Sequence, residues 1–498
     1  MISPEPAPDV AAPELHSVAS RLVRGSAVYA LANFGIKALS FLLLPVYTRF
    51  LTPADYGVIS LAETLALIAA LLCGLGLDAG IQRLYFQFVE NRAELSRYLG
   101  SVLRFAVAVD LGVLALSFAF GPALLRGLAP NFQVAFFPYI ALAVGAAAAT
   151  QLLQLRLSLF QSEGRPVAYA ALTFVFFALT AGLGIHVVVF RRMSAYGMLL
   201  AKLVAAVLLA VAALALLFRW LFAGFEWRYV RETLPLALPL LPHQFMAGGL
   251  IAADRFILER YGNLSEVGLY SLAYTFGMVM ALVTTSIAQA WSPIYYDVAR
   301  GGESGRTVIG RMSSDLALAL VAVACFGSLI AQDFVRLFLD ARYHAIGRLI
   351  PWIIGGYLLH AWFTLFQIAV FQGKRVRYMM VVSAIAFVAN ITSNFALVPR
   401  WGMYGAAWAT LAAYGLEALL MYVYAQRVYS VPYHRSSMIG SLAVFAGVLA
   451  LTQLASPASL RPLIIAGAML ASAVALQAFS GGRLLETIRL SLARGKVR

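Results

Sequence analysis

Apolar stretches, each as long as a whole helix, alternate along this chain with short polar gaps. From Leu22 onward, apolar stretches of roughly 20 residues recur, and the short gaps between them contain most of the charged residues. A helix rises about 1.5 Å per residue, so each stretch is long enough to cross a hydrocarbon core of about 30 Å. The pattern predicts an all-α polytopic membrane protein with about fourteen transmembrane helices. The predicted spans are residues 24–48, 56–80, 99–122, 133–157, 166–190, 195–219, 233–258, 266–293, 308–331, 347–371, 377–398, 403–427, 437–456 and 459–480.

The composition supports a chain that is buried in lipid for most of its length. Apolar residues make up 62% of the chain and charged residues 12%. An ordinary soluble domain has roughly 45–50% apolar and roughly 25% charged residues. A soluble fold could not cover so much apolar surface, so a soluble enzyme and a disordered chain are excluded. The net charge of +15 therefore does not indicate a nucleic-acid partner.

Basic residues in the gaps predict the orientation. With the N-terminus placed in the cytoplasm, the inner gaps and the two terminal tails together contain about twice as many Lys and Arg residues as the outer gaps. Both termini are therefore expected on the cytoplasmic side. The longest inner gaps, residues 81–98 and 294–311, are candidate docking sites for partner proteins.

The chain repeats itself at a constant offset of 211 residues. Segment 49–64 recurs in segment 260–275, and the pair 160–161 recurs as 371–372. An even number of spans separates the copies, so they have the same orientation and are related by an axis along the membrane normal. Arg49, Gly57, Ser60, Leu61, Ala62 and Thr64 recur as Arg260, Gly268, Ser271, Leu272, Ala273 and Thr275.

The repeat defines the predicted domain organisation, which is two parallel six-helix repeats followed by two extra helices. Terminal segments without an apolar core are expected to be tails. The predicted units are a disordered cytoplasmic tail at 1–20, an N-terminal lobe at 21–220, a cytoplasmic linker at 221–232, a C-terminal lobe at 233–430, helices 13 and 14 at 431–482, and a basic cytoplasmic tail at 483–498.

Three segments carry a family resemblance: LLLPVYTRFLTPADYG (42–57), AADRFILERYGNLSEVGLYSLAYT (252–275) and GMYGAAWATLAAYG (402–415). They resemble the polysaccharide transporter family, the Wzx-type oligosaccharide flippases of the multidrug/oligosaccharidyl-lipid/polysaccharide superfamily. The resemblance implies two lobes arranged in a V, in a bacterial cytoplasmic (inner) membrane. It also implies a flippase that moves a polyprenyl-diphosphate-linked oligosaccharide to the outer leaflet by alternating access, for O-antigen, exopolysaccharide or capsule synthesis. Membrane lipid and polysaccharide-assembly proteins are the expected partners.

Such a substrate requires a polar pathway, because each desolvated polar group costs several kcal/mol in hydrocarbon. Lys37, Arg104 and Lys202 lie inside predicted spans and are candidate substrate-binding cations of a central cavity. The alternative is that each one pairs with a carboxylate between helices or extends to the membrane surface. Arg104 corresponds to Asp315 at the repeat offset, so an ion pair that opens and closes between states is a further hypothesis.

Acidic residues inside the spans are candidates for coupling to H⁺ or Na⁺, or for gating. The alternative for each is a locally hydrogen-bonded carboxylate. These residues are Glu63, Asp110, Asp315 and Glu417. Pro235, Pro239 and Pro242 interrupt helical hydrogen bonding in span 7 and predict a hinge or a static kink. The family-motif residues expected to have structural roles are Arg49, Tyr56, Gly57, Asp254, Arg255 and Gly268.

Two rival functions remain open from the sequence. One is a cation-coupled multidrug-type antiporter, which fourteen spans and buried cations disfavour. The other is a membrane glycan polymerase or ligase, which usually needs a long outer loop; the longest outer gap is only residues 332–346. The six histidines and two cysteines show no metal-ligand spacing, and no nucleotide-binding motif occurs. The expectation is a non-enzyme with no metal and no cofactor.

Overall fold

The computed structural model describes residue 28 and residues 32–373, 377–454 and 461–479. These residues form helices joined by short loops, and the described ranges contain no β-strand. Both predicted tails, 1–20 and 483–498, lie outside the described residues. The helices are α1 (32–42), α2 (Leu44–Phe50), α3 (Pro53–Gly74), α4 (Leu77–Phe88), α5 (Arg92–Leu128), α6 (Ala141–Ser162), α7 (Pro166–Ile185), α8 (Ala195–Leu221), α9 (Trp227–Ala237), α10 (Leu241–Tyr261), α11 (Leu264–Ala299), α12 (Gly302–Phe338), α13 (Ile350–Gln372), α14 (Arg377–Val428), α15 (Arg435–Gln453) and α16 (Arg461–Phe479).

The expected all-α membrane fold is confirmed. In the described part of the chain, ten helical stretches are long and apolar enough to cross a membrane. The number of fourteen spans is not confirmed. One of the ten stretches, Tyr378–Val428, covers two predicted spans, and its helix α14 is interrupted at Gly402, where φ is 51°. Glycine adopts a positive φ without strain, which explains why this residue stands at the interruption. The chain reverses there between two helical segments.

The repeat is visible in the lengths of the helices. Pro53 begins α3 and Leu264 begins α11, which is the sequence offset of 211 residues. The stretch Pro53–Phe88, formed by α3 and α4, has 36 residues, as α11 has, and α5 and α12 have 37 residues each. We therefore call α1–α8 the N-terminal lobe and α10–α14 the C-terminal lobe.

The two long inner gaps are mostly helical, and their role as docking sites for partner proteins stays a prediction. Segment 81–98 is helical on both sides of a loop at 89–91, and segment 294–311 has only residues 300–301 outside its helices. The helices extend beyond the apolar stretches because polar, amphipathic turns such as those of α4 remain helical when one face packs on a neighbour.

Helical structure begins before the predicted seventh span, which starts at residue 233. Helix α9 begins at Trp227 and ends at Ala237, a 3₁₀ turn covers Leu238–Leu240, and α10 follows. Pro235 lies inside α9, and Pro239 lies in the 3₁₀ turn. Because proline lacks a backbone N–H, a continuous α-helix is interrupted there. The predicted linker 221–232 is thus partly an amphipathic helix, whose Tyr229 ring contacts Phe88 and Tyr98 of the N-terminal lobe.

Candidate functional site

The lobes meet through two glycines at equivalent positions of the repeat. We call this the outer end, after the predicted orientation; it carries loops 51–52, 262–263 and 339–349. A Cβ atom on Gly57 would lie 2.0 Å from the carbonyl oxygen of Leu264, and one on Gly268 would lie 1.8 Å from that of Pro53. Only glycine permits this close approach of α3 and α11. The motif glycines therefore have a structural role at the contact between the lobes.

Serine pairing marks the axis that relates the lobes. The hydroxyl oxygens of Ser60 and Ser271 are 2.7 Å apart, and these residues are separated by the repeat offset of 211. Leu61, Ala62, Leu272 and Ala273 follow them and are nearly inaccessible to solvent. The apolar core is thus continuous from one lobe to the other at this point.

A loop of the C-terminal lobe closes over the outer end of α2. The Arg342 guanidinium donates to the carbonyl oxygens of Thr48 and Arg49, both at 3.2 Å, and the Tyr343 hydroxyl donates to that of Leu51 at 2.8 Å. Arg342 also hydrogen-bonds Asp340, which holds the pKa of that carboxyl below its usual value. These bonds close the lobes against each other at the outer end.

Two more motif residues, Tyr56 and Glu259, extend this closure. The edge of the Tyr56 ring meets Tyr343, with ring centroids 5.7 Å apart. The backbone N–H of Gln133, in the N-terminal lobe, donates to the Glu259 carboxylate at 2.6 Å. Arg255 donates to the Ser271 hydroxyl at 3.1 Å and lies over the Tyr274 ring. Tyr56, Arg255 and Glu259 therefore lie around the lobe contact, whereas the motif residue Asp254 lies inside the C-terminal lobe.

Lys37 lines a cavity between the lobes, which we call the Lys37 cavity. Its volume is about 720 Å³, and its walls come from α1, α11, α12 and α13. The side chain of Lys37 is exposed, and no carboxylate of the described residues pairs with it. The other walls are mainly apolar, including Phe41, Phe276 and Phe334. A single cation on an apolar seam between two lobes matches a ligand that has an anionic head and a hydrocarbon tail.

The other two predicted cavity cations have local partners. Lys202 Nζ lies 2.6 Å from Oε1 of Glu63, which joins α8 to α3 within one lobe. Arg104 donates from Nε to the Gly100 carbonyl at 3.2 Å and lies 5.8 Å from the Phe225 ring. The hypothesised partner of Arg104, Asp315, is half-buried on α12 and forms no ion pair with it in this conformation.

Asp254 is the centre of a buried polar cluster inside the C-terminal lobe. Its carboxylate is fully inaccessible. It accepts hydrogen bonds from Asn394 Nδ2 at 2.9 Å, from Thr410 Oγ1 at 2.7 Å and from the Tyr270 hydroxyl. Asn394 also donates to Oδ1 of Asn390 at 3.1 Å. We call these five residues the Asp254 cluster; it joins α10, α11 and α14.

The Asp254 cluster has the chemistry of a monovalent cation or proton site. Carboxylate, amide and hydroxyl oxygens are hard ligands. Oδ1 of Asn394 is buried and accepts no hydrogen bond from the described residues. A buried carboxylate is costly unless a positive charge or a proton compensates it, and Arg255 is the basic residue that acts on Asp254. The described residues contain no group of three or more His, Cys, Asp or Glu side chains suited to a metal.

Two further acidic candidates lie in different surroundings. Glu417 is buried, and its carboxylate lies 2.9 Å from Nδ1 of His360 and accepts from Ser383 at 3.4 Å. Asp110 is 4% exposed, and its neighbouring side-chain donor is the thiol of Cys73. It borders an apolar cavity of about 550 Å³ within the N-terminal lobe. The carboxylates predicted for coupling are therefore dispersed rather than gathered in one site.

Sequence reasoning missed the amide and hydroxyl members of the Asp254 cluster. Asn390 and Asn394 lie one helical turn apart in an apolar stretch, so they share a face of α14. That spacing, together with Thr410 and Tyr270 in neighbouring spans, is the sequence signal from which the cluster could have been predicted. Their convergence on Asp254 depends on how four membrane segments pack, which no single-helix pattern contains.

With this geometry in place, the chain can be assigned to a class of membrane transporters. The profile of the family described as polysaccharide biosynthesis protein matches residues 22–298. The chain belongs to this family, so the resemblance carried by the motif segments is confirmed. No curated protein matches the sequence at a significant level.

Solved structures with similar folds include a lipid II flippase, MurJ, in an inward closed conformation. It has a TM-score of 0.67 and 12% identity, and the match covers 93% of this chain and 100% of that chain. An inward-facing multidrug resistance MATE family transporter has a TM-score of 0.59 and 14% identity. The match covers 80% of this chain and 97% of that chain. A MOP superfamily transporter from Pyrococcus furiosus has a TM-score of 0.57 and 15% identity. The match covers 82% of this chain and 95% of that chain. The fold is thus that of multi-pass flippases and transporters.

Proposed function

We propose that this protein is a flippase for a polyprenyl-diphosphate-linked oligosaccharide in a bacterial cytoplasmic membrane. It moves the substrate from the inner to the outer leaflet for O-antigen, exopolysaccharide or capsule synthesis, and it catalyses no covalent chemistry. The observation that carries this proposal is the Lys37 cavity, where an exposed cation lies on an apolar seam between the lobes. Family membership and the similarity of fold to a lipid II flippase support it.

Each part of the substrate has a counterpart in the Lys37 cavity. The Lys37 ammonium binds the diphosphate through a charge-assisted contact. Apolar walls such as Phe276 and Phe334 contact the polyprenyl chain, which stays in the lipid. The sugar head moves between the lobes when the outer-end contacts of Gly57 and Gly268 separate. Alternating access then consists of opening one end while the other closes.

The Asp254 cluster is the proposed coupling site. Binding of Na⁺ or H⁺ to Asp254 changes the interaction of α10 with α11 and α14, and α10 is the helix that follows the proline break. A gradient of the cation can therefore bias the lobes toward one state, since a ligand shifts an equilibrium only through its different affinity for the two states. Glu417, Glu63, Asp110 and Asp315 are secondary candidates.

The test is translocation in proteoliposomes by the full-length protein. A fluorescent polyprenyl-diphosphate oligosaccharide is followed to the opposite leaflet, and Lys37→Ala is compared with Lys37→Arg. We expect Lys37→Ala to reduce the rate by about tenfold or more and Lys37→Arg to retain most of it, because one charge-assisted contact contributes about 1.5–3 kcal/mol. An unchanged rate in Lys37→Ala would contradict the role of this cation.

A cation-coupled multidrug-type antiporter is the second candidate, and the similarity of fold to MATE transporters favours it over an enzyme. Transport of a cationic dye by the same proteoliposomes separates the two functions. An exposed Lys37 on an otherwise uncompensated apolar wall repels cationic substrates. Dye transport without oligosaccharide movement would therefore establish the antiporter and overturn the flippase.

A further inference from the structure

A polar cavity lies within the N-terminal lobe, at its predicted inner end. Its volume is about 480 Å³. It shares no lining residue with the Lys37 cavity, and all of its walls belong to α4, α5, α6, α8 and the loop after α6. It therefore persists when the lobes move relative to each other. The residues that define it are Tyr85, Arg92, Arg156, Glu163, Arg165 and Trp220.

Arg156 is a buried cation in the wall of this cavity. Only 5% of the residue is exposed. Its terminal nitrogens lie 3.1 and 3.5 Å from the Glu163 carboxylate, and the guanidinium lies 3.8 Å from the centroid of the Phe160 ring. Its Nε has no hydrogen-bond partner among the described residues. A buried guanidinium with an unused donor is costly unless a further acceptor enters the cavity.

The cavity wall carries more positive than negative charge. Arg165 also approaches Glu163, at 3.5 Å, so one carboxylate is shared by two guanidinium groups. Arg92 pairs with no carboxylate in the described ranges and is exposed at the start of α5. The cavity wall thus contains three arginines and one glutamate. The planar guanidinium donates two parallel hydrogen bonds to phosphate oxygens, which makes arginine the preferred residue for such groups.

Aromatic residues place this cavity at the level of lipid head groups. Trp220 lies at the end of α8 and Tyr85 near the end of α4, and Trp and Tyr side chains are enriched at membrane–water interfaces. We propose that the cavity binds the phosphate or diphosphate group of an anionic membrane lipid. The lipid is either a resident phospholipid or the lipid-linked substrate before it enters the pathway. The second source rests on the proposed flippase function, whereas the first does not.

The test is lipid binding by the purified full-length protein, counted by native mass spectrometry. Phosphatidylglycerol is the anionic probe and phosphatidylcholine the comparison. The double variant Arg92→Gln/Arg165→Gln removes two cavity charges and leaves the buried Arg156–Glu163 pair intact. We expect its affinity for phosphatidylglycerol to fall by about tenfold, because charge-assisted contacts to phosphate are lost.

The matched control is Arg311→Gln/Arg427→Gln, which removes two exposed arginines from the C-terminal lobe. Equal losses in both double variants, or no loss in either, would overturn the cavity as an anion site. Farnesyl diphosphate then distinguishes the sources: displacement of phosphatidylglycerol supports binding of the substrate's diphosphate, and no displacement supports a resident phospholipid. Because binding is measured without translocation, the result is independent of whether the flippase assay succeeds.

Discussion

Individual charged residues in this protein divide into those with a carboxylate partner and those without one. Lys202 is paired with Glu63 at 2.6 Å, and Arg156 with Glu163 at 3.1 Å. Lys37 faces an apolar cavity without a described carboxylate partner. The sequence placed Lys37 and Lys202 within spans, but the helix rotation that selects a partner became visible only in the folded protein. We therefore expect substitutions of the paired and the unpaired charged residues to differ in their effects on substrate transport and on protein stability.

Asp254 provides a prediction at this scale that does not depend on the substrate. In NaCl, the melting temperature of the wild-type protein is expected to exceed that in choline chloride by about 2 °C or more, because ligand binding stabilises the folded state. Asp254→Asn is expected to abolish this difference, since it removes the carboxylate that binds the cation. Thermal unfolding of the purified protein in detergent provides the measurement.

The control for this experiment is Glu417→Gln, which removes a buried carboxylate from the same lobe. Glu417 has a histidine partner at 2.9 Å and lies outside the Asp254 cluster. It should retain the sodium-dependent stabilisation. If Glu417→Gln abolished the difference while Asp254→Asn preserved it, the coupling site would be at Glu417.

At the scale of elements, the break between α9 and α10 is the feature with mechanical consequences. Helix α9 packs on the N-terminal lobe through Tyr229, whereas α10 contributes Asp254 to the C-terminal lobe. Pro235 and Pro239 fall at the change from one lobe to the other. The sequence predicted a hinge or a static kink here, and helical structure already begins before the predicted span. The amphipathic turn of 227–232 was too polar to be included in an apolar stretch.

The element-scale prediction concerns the double variant Pro235→Ala/Pro239→Ala. Alanine restores two backbone donors and favours a continuous helix, so the two lobes are expected to move less freely. The translocation rate should fall by about threefold to tenfold, with substrate affinity nearly unchanged, as for other hinge positions whose motion limits turnover. Stopped-flow translocation and equilibrium binding measure the two quantities.

Pro166→Ala is the matched control, because Pro166 occupies the first turn of α7, where no helical hydrogen bond is lost. A rate in Pro235→Ala/Pro239→Ala equal to that of this control would indicate a static kink rather than a hinge.

At the scale of the whole molecule, the outer end is closed by contacts between the lobes. The serine pair, the glycines of α3 and α11, and the bonds of Arg342 and Tyr343 all lie there. Opening this end requires these contacts to separate together. Packed interfaces of this kind change between discrete arrangements rather than bending gradually.

This closure predicts the behaviour of Ser60→Cys/Ser271→Cys. The two hydroxyl oxygens are 2.7 Å apart, so an oxidant should join the introduced thiols and hold the outer end closed. Translocation is expected to fall by about tenfold or more on oxidation and to recover with a reductant, because alternating access requires separation of the lobes. The native cysteines, Cys73 and Cys325, are both buried, which limits side reactions.

Each single serine-to-cysteine variant serves as the control, since it cannot form the cross-link. Full activity of the oxidised double variant, with the disulfide verified by mass spectrometry, would show that these positions do not separate during transport.

The all-α membrane fold, the parallel repeat and the family could all be predicted from the sequence. These properties follow from apolar stretch length, from the offset of 211 and from short motifs, all of which are local or periodic along the chain. The tertiary structure alone decided which polar groups meet. Asp254, Asn394 and Thr410 are far apart in sequence yet lie within hydrogen-bond distance. Their convergence depends on the rotation and packing of separate helices, because a membrane span looks equally apolar whichever face it turns toward its neighbours.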